Sequence, residues 1–197
     1  LYDVLEIIKS DVFLFSRSGI CIPGNNNICV KAYDLLKEDF GINPVKIHLH
    51  KQIPIGAGLG GGSADGAFTL IVLNKLFDLR LSNNQLLEYA LKLGSDCPFF
   101  IENKPKHVSG VGEKMSPVNL DLSEFQLKFI FPSLHISTTE AYAEIKSKTP
   151  IIDLLNLISQ PIDKANDLTC VFSISSLGKI AGVSGYCSSR YSQIAID

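Results

Sequence analysis

The chain has 197 residues, of which 46% are hydrophobic and 19% charged, and its formal net charge is −2. That composition is typical of a globular protein with a buried core, and the balanced charge, without a long Lys/Arg run, argues against a nucleic-acid partner. No apolar run approaches the roughly 18–20 residues that span a bilayer, and Leu1-Tyr2-Asp3 does not begin a signal peptide, so we expect a soluble protein without a membrane partner.

The cysteines and histidines form no recognisable metal or disulfide pattern. An odd number of cysteines without Cys-x-x-Cys spacing favours reduced thiols and a cytoplasmic location. The five are Cys21, Cys29, Cys97, Cys170 and Cys187. His48 and His50 alternate with apolar residues and are expected on the wet face of a strand, where a metal would lack further ligands.

The first quarter of the chain predicts two strands, a helix and a third strand, with bounds 2–9, 12–15, 28–40 and 45–50. Asn27 is a suitable N-cap for the helix, and Gly41 is placed to end it. Its predicted apolar side consists of Ile28, Tyr33, Leu35 and Leu36. The third strand alternates apolar and polar residues and should be half-buried.

Two more helices are predicted after the glycine-rich stretch Pro54–Ala64. The first has an inward side made of Ala67, Leu70, Ile71, Leu73 and Phe77. The second begins with a capping box of Ser82 and Gln85 and ends at Gly94. Beyond it we expect a buried turn or short strand at 99–101, a hairpin at 110–113, a strand at 127–131 and a domain boundary near residue 120.

The glycine-rich stretch carries five glycines between Gly56 and Gly62, at a predicted strand-to-helix junction. Glycine allows positive φ and lacks a Cβ, so the backbone N–H groups of such a loop can close around an anion. The helix that follows adds its dipole and its unpaired N–H groups. The pattern therefore predicts a phosphate-binding loop, with a tightly packed turn as the alternative.

Three kinds of phosphate loop can be compared with this stretch. A Walker loop requires a lysine where this chain has only Gly61-Gly62-Ser63. The dinucleotide fingerprint does match at Gly56, Gly58 and Gly61, and would indicate an NAD-dependent oxidoreductase. However, a second helix follows where that fold needs a parallel strand, so we disfavour this interpretation.

The third kind is found in the GHMP kinases, whose second motif the segment Pro54–Asp65 resembles. The segment Leu93–Phe100 resembles the family's catalytic-aspartate segment. Weaker similarities occur at 27–32, 110–113 and 135–138. The resemblance covers roughly residues 1–167 and implies an α+β, two-domain fold. It places an N-terminal ATP-binding domain at 1–120 and a partial, ferredoxin-like C-terminal domain at 121–197, of which 168–197 is atypical.

The resemblance also implies a chemistry, an ATP- and Mg²⁺-dependent phosphotransferase. The triple glycine followed by Ser-Ala is most similar to the family member that phosphorylates a cytidine diphosphate sugar alcohol in isoprenoid biosynthesis. The implied ATP-binding residues are Pro54, Ile55, Gly56, Ala57, Gly58, Leu59, Gly60, Gly61, Gly62, Ser63 and Ala64. Since Gly61 and Gly62 stand where related kinases place a metal-meeting serine, we expect no protein ligand to the metal.

The resemblance also implies roles for three residues outside the glycine-rich stretch. Asp96 is the implied catalytic base, and the apolar residues after it are expected to limit its contact with solvent. Ser137 and Thr138 are implied substrate contacts, with an ordinary helix cap as an equal alternative. We expect Ser63 to begin and cap the helix, with contact to a phosphate or to Mg²⁺ as the alternative. Asp65 is expected to have a structural role in the first turn, where a negative charge suits the dipole.

Both ends of the chain depart from the family pattern. The family's Pro-Ala-Lys-Ile-Asn strand, whose lysine pairs with the catalytic aspartate, has no counterpart after Leu1, and the match ends at Asp167. We therefore hypothesise a truncated or frame-shifted chain. The alternatives are a nucleotide-binding module without catalysis and a sister kinase acting on homoserine or a mevalonate derivative.

Overall fold

The computed structural model describes residues 1–22, 24, 26–56, 58–109 and 114–119, and the backbone of 172–174, 180–182 and 194–195. The chain divides into two units: Leu1–Lys104 with Ser109–Met115, and Pro105–Val108 with Ser116–Asp197. The domain bounds 1–120 and 121–197 stay a prediction.

The first unit contains three strands and four helices within the described residues. In chain order they are β1 (Val4–Lys9), β2 (Leu14–Gly19), α1 (Ile28–Phe40), β3 (Val45–Lys51), α2 (Gly61–Leu76), α3 (Asn83–Leu93) and α4 (Cys97–Glu102). The sheet has the order β1-β3-β2, with β3 antiparallel to β1 and parallel to β2. This mixture of helix and strand confirms the α+β class.

Strand β3 organises the core because its residues alternate between buried and more exposed positions. Its inward side chains pack against α1 and α2; the fully buried residues of these three elements include Val45, Ile47, Leu49, Cys29, Ala32, Leu36, Leu70 and Leu73. The outward side carries His48 and His50, which are half-buried and hydrogen-bond to Ser16 and Ser18 of β2. These histidines therefore lie on the wetter face, as predicted.

Helices α1 and α3 have the ends that the sequence predicts. The side chain of Asn27 accepts the N–H of Cys29, and Gly41 ends α1 in the left-handed conformation with φ of 61°. Ser82 and Gln85 form the complete capping box, and α3 ends before Gly94. These ends depend on hydrogen bonds between residues two to four positions apart, which is why they can be read from sequence.

Helix α2 begins earlier than predicted. Its N-cap is Gly60 and its first helical residue is Gly61, so Ser63 neither begins nor caps the helix. Asp65 is consequently outside the first turn, and its carboxylate is buried rather than placed on the helix dipole. The glycines can enter the helix here because Gly60, in the left-handed conformation, turns the chain into it.

Residues 97–102 form helix α4, so the predicted turn or short strand at 99–101 is wrong. Pro98 occupies the first turn of the helix, where its missing N–H costs no hydrogen bond, and Asn103 ends the helix in the left-handed conformation. Cys97, Pro98 and Phe99 are buried against α2 and α3. A helix of six residues is too short to show the 3.6-residue period, so the sequence alone does not distinguish it from a strand.

Five further strands are described beyond α4. Strands β4 (Lys106–Ser109), β5 (Lys114–Pro117) and β8 (Ile194–Ala195) form a sheet of order β5-β4-β8, and β6 (Phe172–Ile174) pairs antiparallel with β7 (Ile180–Gly182). The predicted hairpin turn at 110–113 and the predicted strand at 127–131 lie outside the described residues. Among the residues described, no helix is long and apolar enough to cross a membrane.

Candidate functional site

The connection between β3 and α2 contains the predicted glycine loop. Gly56, Gly58 and Gly60 have φ of 74°, 72° and 68°, which is the region that L-residues with side chains rarely adopt. Gly60 supplies no side chain to cap α2, so the first N–H groups of this 16-residue helix are not satisfied by a cap. A helix start of this kind, entered through glycines, is suited to bind an anion.

The glycines of this loop differ in their surroundings. A Cβ on Gly60 would lie 2.7 Å from Cζ of Phe100, and one on Gly61 would lie 2.9 Å from Cγ2 of Ile53. A Cβ on Gly58 or Gly62 would meet nothing within 4 Å. The loop therefore has a packed side and an open side, and the open side presents backbone to solvent. Of the predicted loop residues, Ala57 lies outside the described residues.

A buried ion triad lies beside the loop. Lys51, the last residue of β3, donates from Nζ to Oδ2 of Asp65 at 2.7 Å and also to Oδ2 of Asp3. The side chains of Lys51, Asp3 and Asp65 are only 4%, 6% and 6% exposed. The ion pair of Arg80 with Asp78 is, by contrast, largely exposed.

Burial and charge act against each other on the pKa values of the triad. Burial raises the pKa of Asp65 to about 6, although Lys51 acts to lower it. For Asp3, burial acts to raise the pKa, but the N–H groups of Ile53 and Gln52 together with Lys51 outweigh it and lower the pKa. Burial likewise acts to lower the pKa of Lys51, and its two carboxylate partners raise it instead. Lys51 is therefore held as a cation, whereas Asp65 is the member that can take up a proton.

Asp96, the predicted base, is the N-cap residue of α4 and makes no capping hydrogen bond. Its carboxylate accepts a long hydrogen bond of 3.4 Å from Oγ of Ser95 and is otherwise exposed. The expectation that the following residues limit its contact with solvent is wrong, because Cys97 and Pro98 turn into the core and leave Asp96 outside. A carboxylate exposed in this way is accessible to a substrate group.

Helix α4 brings the Asp96 segment against the start of α2. The ring of Phe100 packs on Gly60, and α4 as a whole packs against α2. Cys97 is buried in this packing, and burial raises the pKa of its thiol, so the thiol stays neutral. The predicted loop and the predicted base, 33 residues apart between Ser63 and Asp96 in sequence, therefore belong to neighbouring, directly packed elements.

The triad was not predicted from the sequence, although the residue pattern of β3 contains one signal for it. Val45, Ile47 and Leu49 occupy the inward positions of β3, and the same alternation places Lys51 inward. An inward lysine at the end of a strand needs a buried partner of opposite charge, and this requirement follows from the sequence pattern alone. Its partners, Asp3 and Asp65, are 48 and 14 residues away, which no local pattern identifies.

Two other predicted site residues, Ser137 and Thr138, lie outside the described residues. In the part of the chain that the structure describes, no group of three or more His, Cys, Asp or Glu side chains is arranged to hold a metal ion. Cys21, Cys29 and Cys97 are free thiols.

Comparisons with known proteins show which family the first unit resembles. Residues 27–104 match the family described as GHMP kinases N terminal domain. Over 167 residues the chain is 47% identical to a 4-diphosphocytidyl-2-C-methyl-D-erythritol kinase of Azobacteroides pseudotrichonymphae, a match that covers 83% of this chain and 62% of that protein. It is 44% identical over 179 residues to the kinase of the same name from Bacteroides fragilis, covering 88% of this chain and 65% of that protein.

A solved structure agrees with these relatives. The crystal structure of a 4-(cytidine 5'-diphospho)-2C-methyl-D-erythritol kinase superimposes with a TM-score of 0.61 at 29% identity, over 79% of this chain and 57% of that chain. The chain therefore spans less than two thirds of the length of these relatives. The segment 27–104 that the family match covers contains α1, β3, the glycine loop, α2, α3 and α4.

Proposed function

Because the chain belongs to the GHMP kinase family through its N-terminal domain, we propose that it phosphorylates the 2-hydroxyl of 4-diphosphocytidyl-2-C-methyl-D-erythritol with ATP, a step of non-mevalonate isoprenoid biosynthesis. The observation that carries the proposal is the packing of α4, which begins directly after Asp96, against Gly60 of the glycine loop and against α2. A phosphate cradle and an exposed carboxylate on adjoining elements are two of the parts that phosphoryl transfer to an alcohol requires. The curated relatives of the same name support the choice of substrate.

The proposed nucleotide site is the open side of the glycine loop. Gly58 and Gly62 leave space for phosphate groups, and the N–H groups at the start of α2 would donate to the phosphate oxygens. Mg²⁺ would enter bound to the ATP phosphates, whose charge it neutralises. The residues proposed to contact ATP are Pro54, Ile55, Gly56, Ala57, Gly58, Leu59, Gly60, Gly61, Gly62, Ser63 and Ala64.

Asp96 is the proposed base. Its carboxylate accepts the proton of the substrate hydroxyl, while that hydroxyl oxygen forms a bond to the γ-phosphorus and the bond to the β,γ-bridging oxygen breaks, so that ADP leaves. Ser137 and Thr138 are the proposed contacts of the sugar alcohol. We further propose a cytoplasmic location, which the free thiols Cys21, Cys29 and Cys97 favour.

The experiment that tests this function follows ADP release from ATP with 4-diphosphocytidyl-2-C-methyl-D-erythritol as acceptor. Asp96→Asn is expected to lower the rate by about 100-fold or more, because it removes the base and keeps the shape of the side chain. Asp78→Asn is the matched control: it changes another exposed carboxylate, which pairs with Arg80, and should leave the rate unchanged.

Three other results would each contradict the proposal. ATP binding without acceptor-dependent turnover would identify a nucleotide-binding module. Turnover with homoserine or mevalonate in preference to the cytidine diphosphate substrate would identify a sister kinase. Binding of NAD in place of ATP would identify the dinucleotide loop that the spacing of Gly56, Gly58 and Gly61 allows.

A further inference from the structure

The buried ion triad holds both ends of the glycine loop. At the start of the loop, Oδ1 of Asp3 accepts the N–H groups of Gln52 and Ile53 at 2.7 and 2.9 Å. Beyond its end, Asp65 lies on α2 and accepts from Lys51 at 2.7 Å. Because Lys51 bonds to both carboxylates, one ammonium group ties together the two segments between which the loop runs.

The loop also packs directly on this ammonium group. A Cβ on Gly61 would lie 3.0 Å from Nζ of Lys51, so the backbone at Gly61 rests against the charged end of the lysine. Oγ1 of Thr69 at 2.7 Å and Sγ of Cys29 at 3.7 Å donate to the main-chain carbonyl of Asp65, and not to the carboxylate that Lys51 binds. The position of Lys51 is thus determined by residues that do not belong to the loop.

We propose that Asp3, Lys51 and Asp65 are positioning residues, a clamp that holds the glycine loop in its anion-binding shape and sets the charge beneath it. The part of the inference that concerns nucleotide affinity rests on the proposed function. The part that concerns the shape of the loop stands on the contacts alone.

The charge of the clamp depends on Asp65. The titratable groups that face its side chain or main chain are Lys51 of β3, Asp3 before β1 and Cys29 of α1. Burial raises the pKa of Cys29 to about 12, so the thiol contributes no charge. With Asp65 ionised the clamp carries one positive and two negative charges; with Asp65 protonated it is neutral. An anionic nucleotide is therefore expected to bind more tightly to the protonated form.

The first test measures the order of the loop without any ligand. Amide hydrogen exchange at residues 52–63 is compared in the unaltered chain, in Asp65→Leu, which removes the acceptor, and in Thr69→Val, the matched control one turn along α2. We expect loop exchange about tenfold faster in Asp65→Leu and unchanged in Thr69→Val. Equal exchange in all three proteins, or parallel increases in both variants, would overturn the clamp.

The second test measures binding of MgADP by calorimetry between about pH 5.5 and 7.5, the range in which Asp65 changes charge. In the unaltered chain the affinity should fall as pH rises, and in Asp65→Asn that fall should be lost, because the amide keeps the acceptor but carries no charge. Protonation of ADP itself is the same for both proteins. Identical pH profiles would overturn the charge effect, whereas absence of MgADP binding by the unaltered chain, with the exchange result as expected, would overturn the proposed function and support the clamp.

Discussion

Helices α2 and α3 begin in opposite ways. At α3 the Oγ of Ser82 accepts the N–H of Gln85, and Oε1 of Gln85 accepts the N–H of Ser82, so the helix satisfies its own first donors. At α2 the cap is Gly60, which has no side chain and makes no such bond. The first arrangement stabilises the helix and excludes a ligand; the second leaves donors available to one.

The difference extends to the charge near each helix start. Neither helix has an acidic residue in its first turn, but near the start of α2 the carboxylate of Asp65 is buried and bonded to Lys51. A negatively charged side chain at the start of α2 would compete with a phosphate for the same backbone N–H donors. The glycine cap, which leaves the first N–H groups of α2 without a side-chain acceptor, is what makes this helix start, and not that of α3, the candidate site.

The largest expected effect comes from giving α2 a side chain at its cap. Gly60→Ala should lower the free energy of unfolding by roughly 2–4 kcal/mol, because φ of 68° is strained for alanine and the new Cβ would lie 2.7 Å from the ring of Phe100. Urea denaturation measures the loss. If Gly60→Ala were as stable as the unaltered chain, that result would contradict the close packing of Gly60 against Phe100.

A smaller effect is expected from the pH dependence of stability. Because the pKa of Asp65 is raised from its ordinary value of 3.8 to about 6, the folded state binds more protons between those values, and the free energy of unfolding falls as pH rises through that window. The fall attributable to Asp65 is at most about 3 kcal/mol. The lowered pKa of Asp3 acts in a separate window, below its ordinary value of 3.8.

Denaturation of Asp65→Asn at several pH values measures this contribution. The variant should lose the fall between about pH 4 and 6 and keep the acid-induced loss that Asp3 causes at lower pH. A variant whose stability follows the same pH curve as the unaltered chain would show that Asp65 titrates normally.

Removal of the cap at α3 should affect stability alone. Ser82→Ala is expected to lower the free energy of unfolding by about 1 kcal/mol, since it leaves the N–H of Gln85 without its acceptor. Nucleotide binding, measured by calorimetry with MgADP, should not change. A loss of binding in this variant would contradict the assignment of the site to α2.

The smallest effect on stability is expected at Gly62, on the open side of the loop. A Cβ there meets nothing within 4 Å, and alanine favours the helix, so Gly62→Ala should change stability by less than about 1 kcal/mol. Under the proposed function it should nonetheless weaken MgADP binding several-fold, because the methyl group enters the space proposed for phosphate. Unchanged MgADP binding would show that the phosphate groups do not bind next to Gly62.

Much of the first unit follows from short-range patterns. Asn27 and Gly41 bound α1, Ser82 and Gln85 begin α3, and the alternation of β3 identifies its inward side, because each depends on hydrogen bonds or side-chain directions within a few residues. Strand β2 was predicted at 12–15 and lies at Leu14–Gly19, since its polar residues 16–18 become a strand only through pairing with β3.

The sequence by itself determined the class of the fold, the family resemblance and the glycine loop, because glycine spacing and capping residues express local backbone requirements. Only the tertiary structure decided the helical state of 97–102, the exposure of Asp96 and the pairing of Lys51 with Asp3 and Asp65. These features depend on which distant segments meet in the core, and a buried charge in particular is stable only where the fold supplies its partners.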